Sequence, residues 1–413
     1  MAKPLSAVPN QDTTNVSPLP CRFLAYGNHP SVSIAAGSDA RWKLMGPRKR
    51  RPECLVMRSI ILFLLNSAML LTGCATSVIS TQTPKSTTSV TPSSLGTPNS
   101  VASLGPYEFV SVQGTGQIFT YNIASGSQVL VEPVYQPPCS DPSGMVVTSI
   151  GGNNVMAVVC YDTGFLLTLN IHADGSLSLL GLVKGLGAPY PGIALDGTNV
   201  FVPLFGVPLS SNGGVAKVNI ASPANPVITG VATLASPSPG GYANPGYLTV
   251  AGGHIFVSAG SESAPQSTSS TIQVVDEATM EVVGSPFPVA HSPQQLAVQG
   301  NVAYVTMFDA VQLESVDISD PTHLRSLEVF PLATGSGCHA EPVVVRTTYA
   351  YIGCYAEGVI EKVDVTDPSN MQMVQYIPGI DNPQRLKVEG DYLLVTSALS
   401  GGSVYQIDVN LPK

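Results

Sequence analysis

The side chains with the widest chemical scope in this chain are its cysteines, seven in 413 residues. Cys74 follows Leu71-Thr72-Gly73, so a sulfur nucleophile stands behind two small residues that let an enzyme reach the backbone. Cys160 and Cys354 open the parallel stretches Cys160-Tyr161-Asp162-Thr163-Gly164 and Cys354-Tyr355-Ala356-Glu357-Gly358, and Cys139 and Cys338 precede them. Cys21 and Cys54 lie in irregular, Pro-rich sequence near the amino terminus. A second group of residues gathers beside short Pro-led segments: Asp141, Tyr190, Asn244, His291, His339, Glu341, Asp381, Asn382 and Arg385. It is polar, mildly acidic and suited to binding. His339 and Glu341, with His291 or Asp381, have ligand types that suit zinc or manganese. They lack a tight ligand spacing, so hydrogen-bonded loop residues are the better reading, and neither a metal nor a cofactor is expected. The chain holds no Gly-x-Ser-x-Gly elbow, His-Glu-x-x-His pair or phosphate loop. Its carboxylates are scattered at turns, so no catalytic pair can be singled out.

The residues before Cys74 explain its setting. Ile60 to Leu71 form an apolar run preceded by Arg58 and by Arg48, Lys49, Arg50 and Arg51, the layout of an export signal. The run is shorter than the roughly 20 apolar residues a membrane span needs. Leu71-Thr72-Gly73-Cys74 resembles the lipobox of bacterial lipoproteins. That resemblance implies cleavage before Cys74, a diacylglycerol on its sulfur, and a membrane as partner through that lipid. Ala75 stands where some Gram-negative lipoproteins carry an inner-membrane retention Asp. The expected place is the cell envelope, outside the cytoplasm, and the outer membrane if the cell is Gram-negative. From Thr76 to about Leu104 the chain is mostly Ser, Thr, Pro and Gly, with Lys85 its only charge, as a flexible tether would be.

Beyond Pro106 the chain repeats. Val316-Asp317-Ile318-Ser319-Asp320-Pro321 is matched by Val363-Asp364-Val365-Thr366-Asp367-Pro368, with weaker copies around Asn122, Asn170, Asn219, Asp276 and Asp408. The seven markers are 48, 49, 57, 41, 47 and 44 residues apart, the period of propeller blades. A proline opens an apolar strand ahead of six of them, at Pro142, Pro191, Pro245, Pro293, Pro342 and Pro383. Within one period four strand-length apolar runs fit, for example Gln295 to Val298, Val302 to Met307, Leu313 to Ile318 and Leu324 to Val329. The spacing predicts an all-β, seven-bladed β-propeller of mostly four-stranded antiparallel blades. The opening proline suits a strand's first residue, where no ladder donor is lost. The expected organisation is residues 1–56 as a mis-assigned start or disordered extension, 57–73 as a lipoprotein signal peptide, 74–105 as the lipid-anchored tether and 106–413 as the propeller. Blade one lacks a proline-marked inner strand beyond residue 106, and a short strand near Ser100 to Leu104 is expected to complete the last blade.

The copies resemble the LVIVD and YVTN repeat families of bacterial propellers, and Ala303-Tyr304-Val305-Thr306 stands close to the motif that names the second. The resemblance is specific for fold and poor for activity, because the repeated residues are those that build blades. In such a blade the inner strand runs one way and the second returns, so the residue before the first and the residue ending the second meet at one edge. Cys139 is therefore expected to pair with Cys160, and Cys338 with Cys354, in an oxidising compartment. Propeller ligands commonly sit over the channel mouth, where the polar group named above would gather. Two long loops, Pro203 to Gly214 and Ala259 to Thr271, and the aromatics Tyr161, Phe205, Tyr242 and Tyr355 fall near that face.

Charge narrows the partners. After position 74 the chain holds 9 Lys/Arg against 24 Asp/Glu, a surface that repels phosphate backbones, and nucleic acid is not an expected partner. The only Trp, Trp42, lies outside the repeats, which removes the Trp docking motifs of quinoprotein propellers. The sequence points to a binding or scaffold module rather than an enzyme, its ligand an envelope protein, small molecule or glycan. The alternative is a propeller hydrolase or lactonase acting on a small molecule at the channel. Met57 begins a signal peptide of ordinary length, so the precursor is expected to start there. Mass analysis of the unprocessed chain checks this, and recovery of residues 1–56 would overturn it.

Overall fold

The computed structural model describes residues 80–81, 97–123, 129–131, 134–205, 212–236, 243–260, 270–290, 292–333, 338–397 and 403–409. The signal segment, Met57, Cys74, Tyr242 and His291 lie outside the described residues, as do most of the two long loops. No helix occurs among the described residues, and none long and apolar enough to cross a membrane.

Apolar runs of six to nine residues, broken by Gly, Asn and Asp turns, give seven antiparallel sheets. Blade two shows the pattern: Pro142–Ile150 pairs with Asn153–Cys160, which pairs with Phe165–Ile171, which pairs with Leu177–Val183. Blade five comprises Pro293–Gln299, Val302–Met307, Gln312–Asp317 and Arg325–Pro331, within a few residues of the sequence expectation. Inner strands of neighbouring blades touch in series, and that of blade seven, Pro383–Glu389, returns to that of blade one. The result is the expected seven-bladed propeller.

One apolar cluster lies between each pair of neighbouring blades. The middle strands supply most of it because both their faces are covered, so their buried residues run consecutively instead of alternating. The repeat marker has a local cause. Oδ1 of Asp317 accepts the Ser319 N–H at 3.0 Å, and Asp364 and Asn219 accept those of Thr366 and Ala221 in the same way. Each side chain thus closes the turn that sends the chain to the outermost strand. The turn also locks onto the preceding blade. Ser315 donates to the Pro368 carbonyl at 2.6 Å, and Thr168 donates to that of Pro223.

The opening prolines do more than start strands. Register shifts follow Pro98, Pro142, Pro245, Pro293 and Pro383, and one spans Pro342, so each of these inner strands carries a bulge at its proline. In blade three the inner strand is split into Ala188–Pro189 and Ala194–Asp196 around Pro191. A bulge leaves one residue out of the ladder and swings it aside, and Pro, lacking an N–H, is suited to that place.

Blade one corrects an expectation. Thr97–Leu104 pairs antiparallel with Tyr107–Gln113 as the inner strand of blade one, with its own proline, Pro98, and it does not complete blade seven. The propeller therefore starts before residue 106, at Thr97. Blade seven shows three strands among the described residues, Pro383–Glu389, Tyr392–Ser397 and Ser403–Asp408. Upstream, Ser80–Thr81 pairs in parallel with the outer strand of blade six, Gln372–Pro378.

Closure between blades seven and one rests on Val110, Val112, Phe119, Tyr121 and Val404. Among the described residues these are five buried side chains, against nine to twelve in the other clusters, and each large apolar side chain contributes roughly 1.5–3 kcal/mol. Polar contacts reinforce the seam: Ser103 donates to Glu389 at 2.6 Å, and the Lys387 ammonium reaches the Ser103 hydroxyl at 2.5 Å and Glu389 at 3.4 Å. The thinner seam is expected to open first. Native-state hydrogen exchange should find Ser403–Asp408 amides less protected than those of Val359–Asp364, and equal protection would contradict this.

Candidate functional site

The bulges place the site. In five blades the register slips directly after the opening proline, and the residues two positions after that proline are Ser100, Gly144, Tyr247, Gln295 and Arg385. Four of them line a central cavity of about 140 Å³, together with Met145, Pro191, Gly192, Ile193 and Lys387. Gly144 is the small member because its neighbour comes too close for any side chain. A Cβ there would stand 2.5 Å from the Pro191 carbonyl oxygen. Gly192 bridges to Tyr247 across blades three and four, and its carbonyl accepts the Leu248 N–H at 3.2 Å.

At the mouth, Arg385 Nη1 donates to Glu341 Oε1 at 2.9 Å, with both side chains about six-sevenths buried. Tyr247 Oη donates to the same oxygen at 3.2 Å, and the guanidinium lies over the Tyr247 ring at 5.1 Å. Burial pushes the Tyr247 phenol well above its usual range, against the pull of Arg385. Burial works against the Arg385 charge as well, but Tyr247 and Glu341 outweigh it and hold its pKa above the ordinary value. A buried pair of this kind fixes geometry more surely than it adds stability. Tyr190 packs edge-on against Tyr247 at 6.0 Å and contacts Phe205 at 4.8 Å and Tyr161 at 6.4 Å. Tyr161 is 46% exposed, so an aromatic shelf runs from the ion pair to solvent across blades two to four.

Of the polar residues expected at the mouth, the structure joins Glu341 and Arg385 directly and adds Tyr190 through Tyr247. Others turn elsewhere. Asp141 accepts from Gln113 Nε2 at 3.0 Å, Asn244 is 2% exposed inside blade four, and His339 stacks on Phe308 at 4.6 Å. Asp381 is exposed, and its backbone carbonyl accepts from Ser397. Tyr247 and Gln295 escaped the sequence reading, although their place two residues after a proline was a usable signal. Both expected disulfides are present, Cys139 to Cys160 and Cys338 to Cys354, with Cα separations of 6.0 and 4.4 Å. Each ties the approach to an inner strand to the end of the second. Cys338, Cys354 and Glu361 form the one close group of His, Cys, Asp or Glu donors among the described residues, but its two sulfurs are joined to each other.

Residues 292–329 and 337–377 match the model of the LVIVD repeat. The two matched stretches span blades five and six. Solved structures extend the likeness to the whole ring. The periplasmic gluconolactonase PpgL of Pseudomonas aeruginosa is 15% identical with a TM-score of 0.56, covering 74% of this chain and 96% of that one. The virginiamycin B lyase of Staphylococcus aureus is 11% identical with a TM-score of 0.55, covering 76% and 94%. BamB of Moraxella catarrhalis is 12% identical with a TM-score of 0.50, covering 76% and 84%. At these identities the likeness is one of fold. No curated protein matches the chain.

Asp141 yields a pH prediction. Burial raises its carboxyl above the ordinary value; hydrogen bonds from Gln113 and Asn99 oppose this and nearby Asp162 adds to it. The folded chain therefore holds this proton more tightly than the unfolded one. Stability falls as pH rises from the unfolded pKa, about 4, through the folded one, and stays lowered above it. Asp141→Asn should raise the urea midpoint at pH 7, and the gain should vanish near pH 3. A gain unchanged between the two pH values would refute the assignment.

Proposed function

We propose that this chain is an extracytoplasmic, lipid-anchored propeller that binds a ligand at its channel mouth and acts as a binding or scaffold module. The observation that carries the binding part is the aromatic shelf of Tyr161, Tyr190 and Phe205 leading to the Glu341–Arg385 pair. Exposed rings beside a held guanidinium offer stacking and directional hydrogen bonds on a rigid scaffold, the features of a recognition surface for a glycan, a small molecule or an envelope protein. Support for the location comes from the two disulfides, which suit an oxidising compartment, and from the lipobox-like Leu71-Thr72-Gly73-Cys74. The lipid on Cys74 would make the membrane its standing partner, and two or more acyl chains anchor stably.

The test joins the two parts. Cys74→Ser should release the chain from membranes into the soluble envelope fraction. Recovery of partners from solubilised envelope, compared between the native chain and Tyr161→Ala or Tyr190→Ala, should show a specific ligand whose affinity drops about tenfold with loss of a stacking ring. Membrane retention without Cys74, or identical recovery by all three chains, would overturn the corresponding part. The gluconolactonase likeness keeps a hydrolase reading in view. Turnover of an aldonolactone that is abolished by Glu341→Gln would replace the binding reading.

A further inference from the structure

The channel cavity allows the ligand class to be named, an inference that rests on the binding reading above. Among the described residues its wall carries two cations, Arg385 and Lys387, and no carboxylate; Glu341 is not part of that lining. Lys387 is engaged by Ser103 and Glu389. Arg385 is engaged on one side only, since Nη1 serves both Glu341 at 2.9 Å and the Gln384 carbonyl at 2.6 Å. Its Nε and Nη2 make no hydrogen bond among the described residues. Gln295 is in the same state, with Oε1 accepting the Val343 N–H at 3.2 Å and Nε2 uncommitted among the described residues. The donor capacity left open on the wall by Arg385 and Gln295 lies mostly on the planar fork that matches a carboxylate.

Size limits the rest of the ligand. A cavity of about 150 Å³ holds benzene, so one of about 140 Å³ admits about six non-hydrogen atoms. Met145 and Ile193 add apolar wall, and the Tyr247 ring closes one side. We propose that the channel binds a short-chain carboxylate of two or three carbons, such as a small hydroxy acid. Its carboxylate lies on the free edge of Arg385 and the Gln295 amide, and its carbons lie against Tyr247. Glu341 sets the guanidinium plane from outside the cavity. The limited volume favours a free acid over the carboxylate terminus of a peptide.

Calorimetric titration of the full chain in detergent with acetate, glycolate and lactate tests this, with acetamide, inorganic phosphate and the peptide Gly-Gly-Gly as comparison arms. The expected result is saturable binding of at least one of the three acids, about tenfold or more tighter than acetamide, weakened by salt and lost in Arg385→Gln. Removing Arg385 leaves Glu341 buried without its partner, so Arg385→Gln can fail to fold. Gln295→Glu is the second variant: it leaves the ion pair in place and sets a carboxylate in the wall, and it should expel the acids by at least tenfold. Absence of saturable binding by all three acids, acetamide binding equally well, unchanged binding in Gln295→Glu, or preference for phosphate or the peptide would each overturn the proposal. If no acid binds while the envelope partner is still recovered through Tyr161 and Tyr190, this inference falls and the binding reading stands. Loss of both removes the binding reading itself.

Discussion

How closely the inner strands approach the axis governs the rest of the molecule. Between blades two and three, and between three and four, backbone meets backbone: a Cβ on Gly144 or Gly192 would stand 2.5 Å from a carbonyl oxygen of the next strand. At these and other blades a bulge at the opening proline turns residues out of the ladder where the strands converge. Tyr247, Gln295 and Arg385, two positions after such prolines, line the channel. Packing geometry and site chemistry therefore meet at the same strand starts, and a sequence change there acts on both.

Much of the fold was legible because turn chemistry is local. An Asp or Asn that closes a turn through its own Oδ1, as at Asn219, Asp276, Asp317 and Asp364, recurs with that turn, and such markers made the blades countable. The cysteine pairs were legible for a similar reason, since antiparallel neighbours bring fixed positions to one edge. The closing seam was harder. The stretch near Ser100 to Leu104 reads as a strand completing the last blade, and only the pairing of Thr97–Leu104 with Tyr107–Gln113 makes it the inner strand of the first. Pro98 carried the answer, but it lay in a stretch whose Ser, Thr and Pro content reads as tether.

The site was legible only in part, because sequence proximity to a proline does not fix which way a side chain turns. Asp141, Asn244 and His339 precede opening prolines as expected, yet none is in the cavity lining among the described residues: Asp141 meets Gln113, Asn244 is buried and His339 stacks on Phe308. Glu341 and Arg385 come from adjacent blades 44 residues apart, and their pairing depends on how those blades pack. Tyr247 reaches the same oxygen from 94 residues away. No local pattern announces a contact that three blades must cooperate to make.

The arrangement of the first described strands has a mechanical side. Any pull along the chain from ahead of Thr97 meets the two-residue parallel bridge at Ser80–Thr81 first, and only then the strand at the axis. That strand borders the seam with the fewest buried side chains among the described residues, so a load that passed the bridge would arrive where the ring is expected to part first. The small bridge on blade six stands in series with the seam, in the position of a strain relief on a cable.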